Sequence, residues 1–162
     1  MTKETFEKII ELLNSKKIKY EHLTHDHVHT SEDAAKVRGT KIEQAAKAIV
    51  LKIKNKKNER AFIQCVLQGS RKIDFKKLKK ELNLKSVSMA SAEEVLKLTN
   101  CTIGSVPPFG PMFNLETYLD EHVLSQDEIV FSAGTHNDSI KLKSRDYKEL
   151  LGLKIIDVSV DK

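Results

Sequence analysis

Residues 46–68 read Ala46-Lys47-Ala48-Ile49-Val50-Leu51-Lys52-Ile53-Lys54-Asn55-Lys56-Lys57-Asn58-Glu59-Arg60-Ala61-Phe62-Ile63-Gln64-Cys65-Val66-Leu67-Gln68. Two apolar, β-branched runs flank a polar Asn/Lys turn, which predicts strands over Ala46–Lys54 and Ala61–Gln68. The period-2 rule puts Lys47 on the same face as Ile49, Leu51 and Ile53. An ammonium on an apolar face must snorkel out, find an anionic partner, or belong to a site whose ligand is negative.

Upstream of this pair, Phe6, Ile9, Ile10 and Leu13 have the spacing of an amphipathic helix, and Ile18–Leu23 reads as a short strand. Thr30 with Asp33 opens a short helix ending near Gly39, and Thr40 with Glu43 opens another turn. Downstream, Asp74–Leu82 reads as a helix with Phe75, Leu78 and Leu82 inward and its lysines outward. Ser86–Met89 is a brief strand, and Ser91 with Glu94 caps a helix through Leu98. Strands follow at Thr117–Asp120, Ile129–Ala133 and Ser139–Lys143, then a helix at Arg145–Leu151 and a strand at Lys154–Val158. Strands outnumber what a simple βαβ alternation supplies, so the prediction is α+β, a mixed sheet wrapped by helices. No repeat or composition break marks a linker, and residues 1–162 are read as one domain.

Composition narrows the setting. A chain of 162 residues buries roughly 70% of its unfolded surface, enough for a real core. The first residues, MTKETFEKII, carry charges through their apolar positions, and no run approaches the ~20 residues of a membrane span. The expectation is a cytoplasmic protein with no membrane partner. With only Cys65 and Cys101 there is no disulfide framework and no Cys-rich zinc site. Net charge is +5, which favours a polyanionic partner. Arg71, Lys72, Lys76, Lys77, Lys79, Lys80 and Lys85 crowd one interval, and Lys52, Lys54, Lys56, Lys57 and Arg60 form a second cluster. A solvated lysine surface would look the same.

Two further segments carry the chemistry. Gly104-Ser105-Val106-Pro107-Pro108-Phe109-Gly110 is a loop with little side-chain reactivity, whose glycines and prolines impose a pre-shaped backbone. The amides of Gly104, Ser105 and Val106 could face an anion or a polarised carbonyl; an ordinary Pro-Gly connection is the alternative. Phe131-Ser132-Ala133-Gly134-Thr135-His136-Asn137-Asp138-Ser139-Ile140 reads as a hairpin with hydroxyl, imidazole, amide and carboxylate groups in its turn. Those groups either satisfy the turn or wall a small polar pocket. The run His25-Asp26-His27-Val28-His29 could place three imidazoles on one face for zinc, but no Cys or Glu nearby completes such a site, and no metal or cofactor is expected.

Taken in order, these segments resemble the YbaK/prolyl-tRNA synthetase-associated domain family of aminoacyl-tRNA deacylases. The resemblance runs from His29-Thr30-Ser31-Glu32-Asp33-Ala34-Ala35 before Gly39, through Ala46-Lys47 and Gly104–Gly110, to Ser132-Ala133-Gly134 and Ser139-Ile140-Lys141-Leu142. It implies a barrel-like curled mixed sheet, and hydrolysis of the ester joining a wrong small amino acid (alanine, serine, threonine or cysteine) to the 3′ end of a tRNA. It assigns Lys47, Gly104, Ser105 and Pro108 to catalysis. It places His25, Thr30, Ser31, Val106, Phe109, Gly110, Ser132, Gly134, His136 and Ser139 around the substrate. Arg71, Lys72, Lys76, Lys77 and Lys80 would hold the acceptor stem by phosphate contacts. The family is held to use the substrate's ribose hydroxyl to manage water, which removes the need for a nucleophilic side chain. The implied partners are mischarged tRNA and a synthetase, not DNA. A tRNA-binding or synthetase-docking module without turnover, and a metal-dependent hydrolase, are the competing classes. Val-Pro-Pro-Phe within the loop and His136 depart from other branches of the family, and the added hydroxyl and imidazole groups favour serine or threonine.

Overall fold

A computed structural model describes residues 3–27 and 30–162, the Ser31 side chain excepted. His29 therefore lies outside the described residues. The elements follow in the order α1 (Lys3–Ser15), β1 (Tyr20–Thr24), α2 (Ser31–Arg38), β2 (Ala46–Asn55), β3 (Arg60–Gln68), β4 (Arg71–Ile73), α3 (Phe75–Leu82), β5 (Leu84–Met89), α4 (Ala92–Thr99), β6 (Glu116–Asp120), β7 (Glu128–Ser132), β8 (Asp138–Lys143), α5 (Ser144–Leu151), β9 (Lys154–Ile156) and β10 (Ser159–Asp161). The α+β class predicted from the pattern is the class observed.

The β2–β3 pair sits in the middle of a mixed five-stranded sheet of order β5-β2-β3-β6-β9, in which β3–β6 and β6–β9 run parallel. Asn55 builds the turn between β2 and β3: its Oδ1 accepts from the amides of Lys57 and Glu59. A separate antiparallel sheet of order β1-β8-β7 and a two-stranded β10-β4 ribbon complete the strands. Among the described residues the strands form three sheets, none of them closed, where a single barrel-like sheet was expected. An isolated bridge from Ala45 to Val130 marks where two of them meet.

Each sheet face has its own apolar cover. The odd-numbered side chains of β2, Leu51 with Ile49 and Ile53, pack with Ile63, Cys65 and Leu67 under Leu78 of α3. The even side, Val50 with Ala48, packs under α4 and the following loop through Ala90, Val95, Cys101 and Val106. Ile9 and Leu13 of α1 join Phe109, Phe131, Ile140 and Tyr147 in a third cluster against the smaller sheet.

Local capping explains most helix starts. Thr30 Oγ1 accepts from the Asp33 amide, Asp74 Oδ1 from those of Lys76 and Lys77, and Ser91 and Glu94 form a reciprocal capping box. Gly39 ends α2 in the left-handed conformation at φ 68°. Three local expectations differ, the first being Phe75, read as facing inward from α3 but exposed. The turn read as opening at Thr40 is capped by Lys41, whose amide bonds to Gln44 Oε1, and Thr40 Oγ1 is buried without a hydrogen-bond partner. The strand expected through Val158 divides after Ile156. The buried Asp120 Oδ2 there captures the Val158 amide at 2.9 Å, and the Val158 carbonyl accepts from Asp74 N, turning the chain toward β4.

Candidate active site

Strand β5 pairs with β2 only from Leu51 onward, so the first residues of β2 keep a free edge. The amide of Ala90 donates to the Val50 carbonyl, which sets the even residues of β2 toward the β5 side. By the same alternation the Ala48 backbone points away from β3, into a cleft. That cleft is walled by α2 and the end of β1, by the loop around Gly104, and by the β7–β8 turn, and among its lining residues are Lys47, Arg38, His25, His136, Gly104 and Val106.

Lys47 is half-buried, and its Nζ reaches the Gly69 carbonyl at 3.4 Å, a long contact that leaves the ammonium available. Burial, helped by nearby Lys162 and opposed by Glu32, pulls its pKa down to about 8. Glu32 is itself bridged to Lys162 at 3.6 Å.

Arg38 is the second cation of the cleft, and spacing alone gives no hint of it. Its place in the last turn of α2, just before Gly39, reads as an ordinary complement to the helix dipole. In the fold its Nε donates to Ser139 Oγ at 2.9 Å and its Nη2 to Ser132 Oγ at 3.2 Å. No carboxylate pairs with it among the described residues. Burial lowers its pKa to about 10, so it stays charged at neutral pH.

Ser139 Oγ accepts from Arg38, which leaves its proton for His25 Nε2 at 2.8 Å, while His25 Nδ1 lies 2.9 Å from the Asp26 carbonyl. The carbonyl can only accept, so Nδ1 carries the hydrogen and Nε2 accepts. This serine–histidine pair has the outline of a nucleophile and base. Ser139, however, is fully buried and committed to two partners, so it positions His25 and Arg38 instead. With both ring nitrogens engaged, His25 offers no ligand to zinc.

The Pro-Pro loop divides between cleft and core. Gly104 (φ 93°) and Val106 border the cleft, and no hydrogen bond among the described residues takes up either amide. Ser105 differs from the expectation. Its amide and hydroxyl both donate to the Thr102 carbonyl, its carbonyl accepts from Gly134 N, and the residue is buried. Pro108, Phe109 and Gly110 lie beneath the loop, not on the cleft. The Pro108 carbonyl takes the Tyr147 hydroxyl, Phe109 packs on Phe131 and Tyr147, and Gly110 N bonds to Gln64 Oε1. They hold the wall up.

On the opposite wall, His136 Nε2 lies 2.7 Å from Thr102 Oγ1, and its ring stacks on His27 at 4.1 Å. The turn is tied to the end of β1 by His25 N to the Asn137 carbonyl and Asn137 Nδ2 to the His25 carbonyl. Thr30 and Ser132 line the cleft, whereas Gly134 supports it from behind through Ser105. Ser31 begins α2.

The basic residues of β4 and α3 stand elsewhere. Arg71 is engaged by Asp161 and Ser159, and Lys77 by Asp157 and the Ser159 carbonyl, while Lys72, Lys76 and Lys80 are exposed on the side of the sheet covered by α3. Neither cysteine is a nucleophile: both are buried, and burial pushes both thiols up, Cys65 to about 12. The cleft thus combines two cations, free backbone donors and imidazoles with no activated nucleophile among the described side chains, the equipment of an enzyme that positions water against a labile acyl bond.

Residues 25–150 match the family model of the aminoacyl-tRNA editing domain, and the chain belongs to that family. It is 31% identical over 155 residues to the multifunctional Ser/Thr-tRNA deacylase ProXp-y of Escherichia coli K12, covering 94% of this chain and 92% of that protein. A stretch of 114 residues is 27% identical to part of the proline–tRNA ligase of Caldicellulosiruptor bescii, covering 70% of this chain and 19% of the ligase. The crystal structure of a hypothetical protein superposes at TM-score 0.81 with 22% identity, covering 94% of this chain and 99% of the other, and bears out the fold. The chain is accordingly a hydrolase of aminoacyl-tRNA esters. No helix among the described residues is long and apolar enough to cross a membrane.

Proposed function

We propose that this protein removes serine or threonine from mischarged tRNA, with water as the nucleophile and the cleft beside Lys47 as the site. The observation that carries the reading is the pair of half-buried cations, Lys47 and Arg38, in a cleft with no reactive nucleophile among its described side chains. An aminoacyl ester is intrinsically labile, so orientation and charge stabilisation are enough to accelerate its hydrolysis.

On this reading the Gly104 and Val106 amides, with Ala48 N–H on the free edge of β2, bind the ester carbonyl as it becomes an oxyanion. Lys47 supplies positive charge to the reacting centre, and Arg38 holds the terminal phosphate. The ribose hydroxyl next to the ester orients the water. His25, His136 and Ser132 surround the amino-acid end, and the Ser132 hydroxyl, which accepts from Arg38, keeps its proton for a side-chain hydroxyl, in keeping with the name of the Escherichia coli relative. A site that hydrogen-bonds a hydroxyl rejects the analogue lacking it more strongly than an apolar pocket rejects a methylene. The reading places the protein in the cytoplasm, where tRNAs are charged, beside a synthetase that makes the error.

The test is a panel of tRNAs mischarged with alanine, serine, threonine or cysteine, assayed for remaining ester. Serine and threonine should be released fastest. If the protein hydrolyses none of the four, the reading is wrong. Lys47→Ala should lose turnover while keeping tRNA binding, which separates an enzyme from a docking module.

A further inference from the structure

The second basic cluster of the sequence, at the far end of β2, has no part in the cleft chemistry, yet the pairing of three strands gathers it into one surface. In register, Ser88 of β5, Lys52 of β2 and Phe62 of β3 form one cross-strand row, and Ser86, Lys54 and Arg60 form the next. Side chains in such rows share a face, and this is the even face of β2 that also carries Ala48 and Val50. The apolar cover of α4 and its following loop reaches as far as Phe62, which packs on its edge, and there the six residues line an open hollow of about 500 Å³. Glu94 bridges Lys52 at 3.3 Å, while Lys54 and Arg60 have no acidic partner among the described residues.

The ledge and the cleft stand at opposite ends of β2. Beside the cleft lies a shallow strip whose lining includes Ala48, Val50, Gly104 and Val106, together with Met89 and Ile103, which are 54% and 55% exposed. At about 3.3 Å per strand residue, Lys54 lies ~20 Å from Ala48, a distance that a few linked nucleotides cover. Cations spaced along a strand beside an aromatic ring and exposed apolar side chains suit a single-stranded nucleic acid, whose phosphates take the charge while bases stack or pack. The α3 side is less suited, because Asp157, Asp161, Asp74 and Glu81 are interspersed with its lysines and engage two of its cations directly.

We propose that the ledge of Lys52, Lys54, Arg60 and Phe62 is a track for the single-stranded 3′ end of tRNA, at the far end of the strand whose first residues border the cleft. The proposal rests on the deacylase reading for what occupies the cleft, but its own test does not need turnover.

Uncharged tRNA is titrated into wild type, into a Lys54→Ser/Arg60→Ser variant and into a Lys72→Ser/Lys76→Ser/Lys80→Ser variant, at several salt concentrations, by fluorescence anisotropy. The ledge variant should bind about tenfold more weakly, with a salt slope shallower by one to two, since each lost phosphate contact on a single strand removes about 0.7. The α3 variant should bind within about twofold of wild type. Unchanged binding by the ledge variant, or the larger loss in the α3 variant, overturns the track whether or not the protein hydrolyses any ester. If wild type is inactive on all four mischarged tRNAs while binding still depends on the ledge, the deacylase reading fails and the RNA track stands.

Discussion

Gly104 lies against the His136 ring: a Cβ built on the glycine would stand 3.3 Å from His136 Cε1. The contact joins the two walls of the cleft, and its backbone, at φ 93°, is one that side chains rarely adopt. Gly104→Ala should therefore both strain the loop and push His136 aside, lowering kcat/KM by at least about tenfold while the protein still folds. Gly110→Ala is a different case. Its Cβ would fall 1.8 Å from Thr117 Oγ1, inside the packed support of the loop, so it should chiefly lower the melting temperature and yield. Thermal denaturation beside steady-state deacylation distinguishes the two, and a fully active Gly104→Ala would show that this close approach is unnecessary.

Tyr147 reaches the loop from below. Its hydroxyl, wholly buried in α5, donates to the Pro108 carbonyl, and burial pushes its pKa far up. Tyr147→Phe keeps the ring packing on Phe109 and Phe131 but orphans a buried carbonyl, which costs about 1–3 kcal/mol. At roughly 2–4 °C per kcal/mol for a chain of this size, calorimetry should detect the drop in Tm. Activity should fall more than stability alone explains, because the carbonyl fixes the loop that carries the Gly104 and Val106 amides.

The elements of this fold were legible wherever the signal was local. Period 2 gave β2 and β3, caps at Thr30 and Ser91 gave two helix starts, and the apolar stripe of α3 gave a third helix. What was not legible depends on partners remote in sequence. Strands β4 and β10 are three residues each and exist because they pair with one another. Which loop residues face the cleft is decided by Gln64 and Tyr147, so Pro108, Phe109 and Gly110 could not be told from Gly104 and Val106 by spacing. Arg38 is the sharpest case, its partners lying 94 and 101 residues away.

Lys47 should set the pH profile. With its pKa near 8, it is charged below that pH and neutral above it. If the ammonium stabilises the developing oxyanion, the ratio of enzymatic to uncatalysed hydrolysis should be highest below pH 8 and fall as pH rises through it. A ratio that rises instead would mean that the neutral amine acts as a base. Stability should move the other way. The folded pKa lies below the unfolded value of about 10.4, so the cost of holding the buried charge is full below pH 8 and shrinks between pH 8 and 10.4. Lys47→Met should raise Tm at pH 7 and flatten that rise, while reducing kcat on the order of 10²–10³-fold.

Arg38 provides the test that separates binding from chemistry. A guanidinium that grips the terminal phosphate does so equally before and during hydrolysis, so its loss removes uniform binding. Arg38→Gln should raise KM by roughly 10–100-fold, the value of one or two charge-assisted contacts, and leave kcat nearly unchanged. Ser139→Ala probes the same network indirectly, because Ser139 Oγ holds both the Arg38 guanidinium and the His25 ring. Removing that hydroxyl should raise KM less than Arg38→Gln does, and the double variant should fall short of the product of the two effects, since they share the Arg38–Ser139 contact. If Ser139 were instead the nucleophile, Ser139→Ala would abolish kcat outright with KM intact.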